Sequence, residues 1–117
     1  MNIEELRTYC LSKKAVTEGF PFDEETLVFK VLDKMFLLTN INGELRMNVK
    51  CDPEKALELR ESYPAVLPGY HMNKKYWNTV VIDGSVSDEL LKEWIDESYD
   101  LVVAKMPKKK QNELKNL

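Results

Sequence analysis

Apolar positions along the chain change period several times, and each change marks an element. Ile3, Leu6, Tyr9 and Cys10 recur at helical spacing behind an Asn2/Glu5 capping-box pattern, predicting a first helix from about Ile3 to Lys13. Gly19, Pro21 and the run Asp23-Glu24-Glu25 break that period. Thr26 to Leu32, rich in β-branched and apolar residues, predicts a strand, and Met35 to Ile41 a second across a two-residue turn at Asp33-Lys34. Asn42-Gly43 supplies the pair that a type I′ turn demands before a third strand, Leu45 to Cys51. That strand alternates strictly, so Leu45, Met47, Val49 and Cys51 are expected to face inward and Arg46, Asn48 and Lys50 outward. Asp52 and Pro53 open a second helix to about Ser62, with Ala56, Leu59 and Tyr63 on its inner stripe, and Pro64 stops it. Tyr76 to Ile82 predicts a fourth strand. Ser87 caps a last main helix whose buried stripe is Leu91, Trp94, Ile95 and Val102, ended by Pro107. The pattern predicts an α+β domain over residues 1–106, an antiparallel sheet with helices packed on one face in the order α-β-β-β-α-β-α, and a basic tail over 107–117.

A chain of 117 residues, 44% hydrophobic and 32% charged, has room for one core and enough apolar residues to fold it. No apolar run approaches the roughly 20 residues of a spanning helix, and Glu4, Glu5 and Arg7 stand where a secretory signal would be apolar. A cytoplasmic protein without a membrane partner is the expectation. Cys10 and Cys51 have no metal-knuckle or C-x-x-C spacing and are expected to stay free thiols. Twenty acids against seventeen bases give a net charge of -3, which removes any bulk-charge argument for nucleic acid. The distribution restores part of it, because residues 30–75 hold eight bases and six acids. Lys30, Lys34, Arg46, Lys50, Lys74 and Lys75 fall on strands, turns and a loop, whereas Asp52, Glu54, Glu58 and Glu61 fall on the second helix. A basic sheet face is expected, with an ordinary solvated face as the plainer alternative.

The densest chemistry lies in Pro68-Gly69-Tyr70-His71-Met72-Asn73-Lys74-Lys75-Tyr76-Trp77-Asn78-Thr79. Aromatics there offer stacking surface, lysines neutralise phosphates and Asn amides read base edges, so the composition suits nucleic acid. The same aromatics serve equally as core or rim anchors, and Tyr70 and Trp77 individually favour that reading. No activated nucleophile, Gly-rich phosphate loop or H-E-x-x-H accompanies the lone His71, which argues against an enzyme. One histidine and two distant cysteines make a poor metal site, and no cofactor is expected.

Thr26-Leu27-Val28-Phe29-Lys30-Val31, Lys34-Met35-Phe36, Lys50-Cys51-Asp52-Pro53-Glu54, the 68–80 segment and Ser98-Tyr99-Asp100-Leu101-Val102 together resemble the MmcQ/YjbR family of small bacterial proteins. The resemblance covers nearly the whole chain. It implies a CyaY-like fold with frataxin topology, also described as a double wing, and a DNA-binding role in the cytoplasm. Carried over by position, the matching polar residues are Lys34, Lys50, His71, Asn73, Lys74, Trp77 and Asn78. Lys75-Tyr76 stands where many relatives place Lys-His, which weakens any proposal built on a histidine pair. The expected function is a non-enzymatic module binding DNA through Lys30, Arg46 and Lys50 on the sheet and the 68–79 loop. The alternative is a module for a protein or a small anionic ligand.

Overall fold

Helix starts follow their capping chemistry. A computed structural model describes residues 1–69 and 72–117. In it Asn2 Oδ1 accepts from the Glu5 amide at 2.8 Å while Glu5 Oε1 accepts from the Asn2 amide, opening α1 (Ile3–Leu11). Asp52 caps α2 (Pro53–Ser62), Pro53 occupying its first turn. Ser87 Oγ accepts from the Leu90 amide and caps α3 (Asp88–Ala104). The first helix stops two residues earlier than its periodicity predicts, and Ala15, at φ 59°, turns the chain into the sheet.

That sheet has six antiparallel strands, β1 (Val16–Gly19), β2 (Thr26–Val31), β3 (Lys34–Asn40), β4 (Arg46–Lys50), β5 (Val66–Pro68) and β6 (Trp77–Val81), in the spatial order β1-β2-β3-β4-β6-β5. The expected order α-β-β-β-α-β-α is therefore corrected to α-β-β-β-β-α-β-β-α-α. Both added strands lie on sheet edges and are three or four residues long. Their conformation is imposed by the ladder of the neighbouring strand, and short edge strands carry little patterning of their own. The added helix is α4 (Lys108–Lys115), which turns the expected tail back onto the domain and buries Leu114 in the main core.

Both turns differ from their expected form. The β2–β3 turn sits one residue early, on Leu32 and Asp33 with φ of 44° and 69°, the left-handed pair a type I′ geometry requires. Between β3 and β4 the connection is the five-residue segment 41–45 rather than a two-residue turn at Asn42-Gly43. Asn40 explains the difference. Its amide donates to the carbonyls of Asn42 and Glu44 at 2.6 and 2.7 Å and its Oδ1 accepts from the Arg46 amide, so one side chain closes a wider loop.

Register places Met47 and Val49 in the core and Asn48 and Lys50 on the far face, as the alternation of β4 predicts. Beside them β3 breaks its alternation. Phe29 pairs with Leu37 but Lys30 pairs with Met35, which leaves Phe36 as an extra, bulged residue. Phe36 and Leu37 both enter the helix-side core, while Met35 and Leu38 both reach the opposite face. The bulge also leaves ladder groups to be satisfied. Ser98 of α3, fully buried, donates from Oγ to the Phe36 carbonyl at 2.5 Å and accepts from the Lys50 amide at 2.8 Å. One hydroxyl thus bridges β3, β4 and the helix that covers them.

Two predictions follow from this packing. Ser98→Ala leaves a buried carbonyl and a buried amide without partners and is expected to cost about 1 to 3 kcal/mol in a denaturant titration. Burial pushes the Cys10 thiol up from 9.0 to about 12, so the native state holds that proton more tightly than the unfolded chain. Stability is then fully present below pH 9 and falls as pH rises from 9 towards 12, a decline that chemical denaturation at fixed alkaline pH values measures.

Candidate functional site

Helices α1 and α3 cover one face of the sheet, leaving the other with a smaller cluster of Val28, Leu38 and Trp77, flanked by Met35, Met72 and Tyr76. Strand direction decides where its charges go. Because neighbours are antiparallel, β2 and β4 end, and β3 and β6 begin, at the same end of the sheet. Lys30, Lys34, Lys50 and the Lys74-Lys75 pair all arrive there. With strands roughly 4.8 Å apart, the row from β2 across to β6 spans about 14 Å. At the opposite end lie Asp23, Glu24, Glu25, Glu44 and Asp83. Charge is unevenly divided along the strand axis, with Asp33 in the β2–β3 turn and Asp52 after β4 the acids at the basic end, an asymmetry that a net count of -3 conceals.

Lysine surroundings at the basic end are unusual. Lys50 is half-buried, paired in register with Trp77, and held below the ordinary lysine range by burial and then by the nearby charge of Lys105. Lys105, the C-cap of α3, places its Nζ 4.8 Å from the centroid of the Tyr76 ring, and Lys75 places its own at 5.6 Å. Among the described residues none of these three makes an ion pair. Elsewhere two acids of α3 are engaged, Asp96 with Lys13 and Glu97 with Lys55, both at 2.5 Å.

The loop leading into β6 owes its residues mostly to architecture. Gly69 lies so close to Trp77 that an added Cβ would meet the Trp77 carbonyl oxygen at 2.9 Å, and the Gly69 amide donates to that oxygen. Asn73 closes a turn, its Oδ1 accepting from the Lys75 amide and its carbonyl from those of Tyr76 and Trp77. Arg60 of α2 then fixes the segment from behind. Its Nε donates to Asn78 Oδ1 at 2.7 Å, and its Nη2 to the carbonyls of Trp77 and Lys74. Asn78, 1% exposed, also donates to the Ala56 carbonyl.

Expected site residues therefore separate into groups. Lys30 and Lys50 share one end of the open face with Lys75 over the Tyr76 ring, and Lys74 stands beside them with its carbonyl held by Arg60, whereas Lys34, opposite the core residue Val31, lies at the same end but on the helix side. Arg46 stands at the other end, 2.8 Å from Glu44, and leaves the basic group. Asn78 is committed within the protein and Trp77 is buried, so a direct ligand contact is corrected for Asn78 and reduced to an edge for Trp77. Asn73 is a turn residue. His71, with Tyr70, lies outside the described residues.

Lys105 and Arg60 were not expected in this role. Their signal was periodic: Lys105 lies four and seven residues along one stripe of α3 from Leu101 and the buried Ser98, and Arg60 lies four from the buried Ala56. A cavity of about 630 Å³ also opens on the same face, walled by Phe22, Leu67 and Met72 over a floor of Thr26, Asn48 and Thr79. Its aromatic wall comes from a loop whose sequence had read only as a break. Neither cysteine is a ready nucleophile, since burial raises both Cys10 and Cys51 towards the neutral thiol. Among the described residues no helix is long and apolar enough to cross a membrane. Trp77→Ala is expected to cost about 3 to 5 kcal/mol by thermal or urea unfolding, because the indole anchors the open-face cluster.

Comparison with known proteins adds the lineage. The sequence is 39% identical to Escherichia coli O157:H7 YbdF over 97 residues, 82% of this chain and 80% of that protein. It is 32% identical to E. coli K12 YjbR over the full length of both. A crystal structure of a Deinococcus radiodurans protein superposes with a TM-score of 0.91 at 47% identity, covering 97% of this chain and 87% of that one. A Pseudomonas syringae crystal structure gives 0.77 at 27% identity, covering 87% and 99%. The sequence model of the YjbR family matches residues 11–101, and the chain belongs to the YjbR family.

Proposed function

We propose that the chain is a non-enzymatic DNA-binding module that holds the phosphate backbone of duplex DNA against the basic end of its open sheet face. The observation that supports this reading is the sorting of charge along the strands, which brings Lys30, Lys50, Lys75 and Lys105 to one end of the open face, with Lys34 at the same end on the helix side, and sends most acids to the far end or the helix side. Lys108, Lys109 and Lys110 follow Lys105 in sequence and open α4. A row of lysines matches a repeating phosphate better than it matches any base edge, because ammonium groups carry charge but little geometric selectivity. Binding of this kind is weak, tolerant of sequence and steeply dependent on salt.

A second reading has its own observation. The cavity beneath Phe22 has a volume in the range of small-ligand sites, with Asn48 and Thr79 hydrogen-bonded to each other at 2.6 Å on its floor. On that reading the same face serves a small molecule and the DNA titration fails.

The test is a salt-dependent titration with duplex DNA. Neutralising about four to six phosphates gives a log-log slope of roughly -3.5 to -5.5. Lys50→Glu is expected to weaken every sequence alike and flatten the slope, whereas Arg46→Glu, at the acidic end, leaves affinity within about twofold of the parent. Equal losses for the two variants, or no binding by folded protein at low salt, contradict the proposal.

A further inference from the structure

Two cations over one aromatic ring with a third lysine on the neighbouring strand, none of them in an ion pair among the described residues, are an electrostatic conflict in a folded protein. Surface lysines ordinarily point apart or pair with acids, since like charges held together cost energy that water only partly screens. Here the Lys75 and Lys105 ammonium groups both lie over Tyr76, at 5.6 and 4.8 Å from its ring centroid. Lys50 flanks the same residue, because the amide of its neighbour Cys51 donates to the Tyr76 carbonyl at 2.7 Å and Lys50 itself pairs with Trp77. The groups come from three separate elements: the end of β4, the loop before β6 and the C-terminus of α3. A lysine at a helix C-terminus is favourable in itself, but that accounts for the presence of Lys105 and not for its position over the Tyr76 ring together with Lys75. Burial and Lys105 together depress the Lys50 ammonium, the direction produced by a missing counter-charge.

We propose that Lys50, Lys75 and Lys105, gathered around Tyr76, form a phosphate-binding site that takes the phosphoryl group of a larger ligand. Phosphoryl oxygens accept hydrogen bonds from several ammonium groups at once, and a mono- or dianion between them replaces mutual repulsion by charge-assisted bonds. The site adjoins the open-face cavity. Asn48 on the cavity floor lies two residues before Lys50 on the same face of β4, about 7 Å away along the strand. Met72 and Leu38 line the cavity and also pack in the cluster containing Trp77 and Tyr76. A phosphate bound here therefore has space beside it for the group that carries it. That group is either the sugar of a DNA backbone or the organic part of a small phosphate ester. The site does not rest on the DNA reading, since inorganic phosphate alone tests it.

The experiment is NMR of the full chain with lysine side chains observed, titrated with inorganic phosphate at low ionic strength. Saturable shifts confined to Lys50, Lys75, Lys105 and the Tyr76 ring are expected, with the Lys50 pKa rising as phosphate binds. Lys105→Gln should weaken phosphate by about tenfold or more and, without phosphate, raise the Lys50 pKa, a change a bystander lysine would not cause. Lys92→Gln, outside the site, should do neither. Shifts spread evenly over the surface lysines, or a Lys50 pKa unmoved by both phosphate and Lys105→Gln, overturn the proposal. Two further arms identify the source of the phosphate. Displacement by a DNA duplex assigns the site to the backbone. Displacement by a 5′-mononucleotide but not by duplex assigns it to a small ester, and the DNA reading then fails while the site stands.

Discussion

One buried hydroxyl, that of Ser98, ties the two central strands of the sheet to the helix that covers them. The bulge at Phe36 resets the alternation of β3, so that Phe36 and Leu37 enter the core together and Met35 and Leu38 emerge together. The reset sets Lys30 of β2 level with Met35 of β3 and lets Phe36 enter the core beside Leu37. The bulge has a cost, the local loss of ladder hydrogen bonds, and Ser98 offsets it by accepting from Lys50 and donating to Phe36. Lys50 is thus fixed at its backbone by the helix layer while its side chain belongs to the exposed end. The same helix stripe continues through Val102 to Lys105, which reaches round the end of the sheet to Tyr76. Packing and charge placement are consequences of one helix lying in one register.

That coupling gives physical content to a modest overall charge. Charge is asymmetric along the strands, with lysines outnumbering Asp33 and Asp52 where β2 and β4 finish and carboxylates prevailing in the loops at the opposite end. A polyanion approaching such a molecule meets attraction at one end and repulsion at the other, so orientation is selected before contact. Two acids of α3, Asp96 and Glu97, are engaged with Lys13 and Lys55. Arg60 adds rigidity beneath the basic end, pinning Asn78 and the carbonyls of Trp77 and Lys74 from α2. The loop that had read as a set of ligand contacts is largely a device for holding Lys75 and Tyr76 in place.

How much of this was legible follows from which forces are local. Capping, alternation and helical stripes are written in neighbouring residues, and Asn2, Asp52, Ser87 and the β4 pattern were read correctly from them. β1 and β5 were not legible, because their conformation comes from the strand beside them rather than from three or four residues of their own. The Asn42-Gly43 turn misled for a similar reason, since Asn40 outcompetes it by bonding across the loop. At the candidate site, residue type identified the lysines but not their grouping. Arg46 and Lys50 are equivalent in an alternating strand and stand at opposite ends of it, a difference that only the register and the neighbouring Glu44 make meaningful. Asn78 carried the chemistry of a reader of bases but lies on the inward face, where Arg60 and Ala56 use it.

The central claim is that the lysine-bearing end of the sheet, rather than its whole open face, is the binding edge. Backbone amide chemical-shift mapping with a short DNA duplex at low salt tests it most directly. The account predicts perturbations concentrated at residues 30–35, 49–51, 74–77 and 103–106, with the 22–25 and 41–46 segments silent. Perturbations centred on the cavity and the 22–25 loop, or spread along the acidic helix α3, would contradict it.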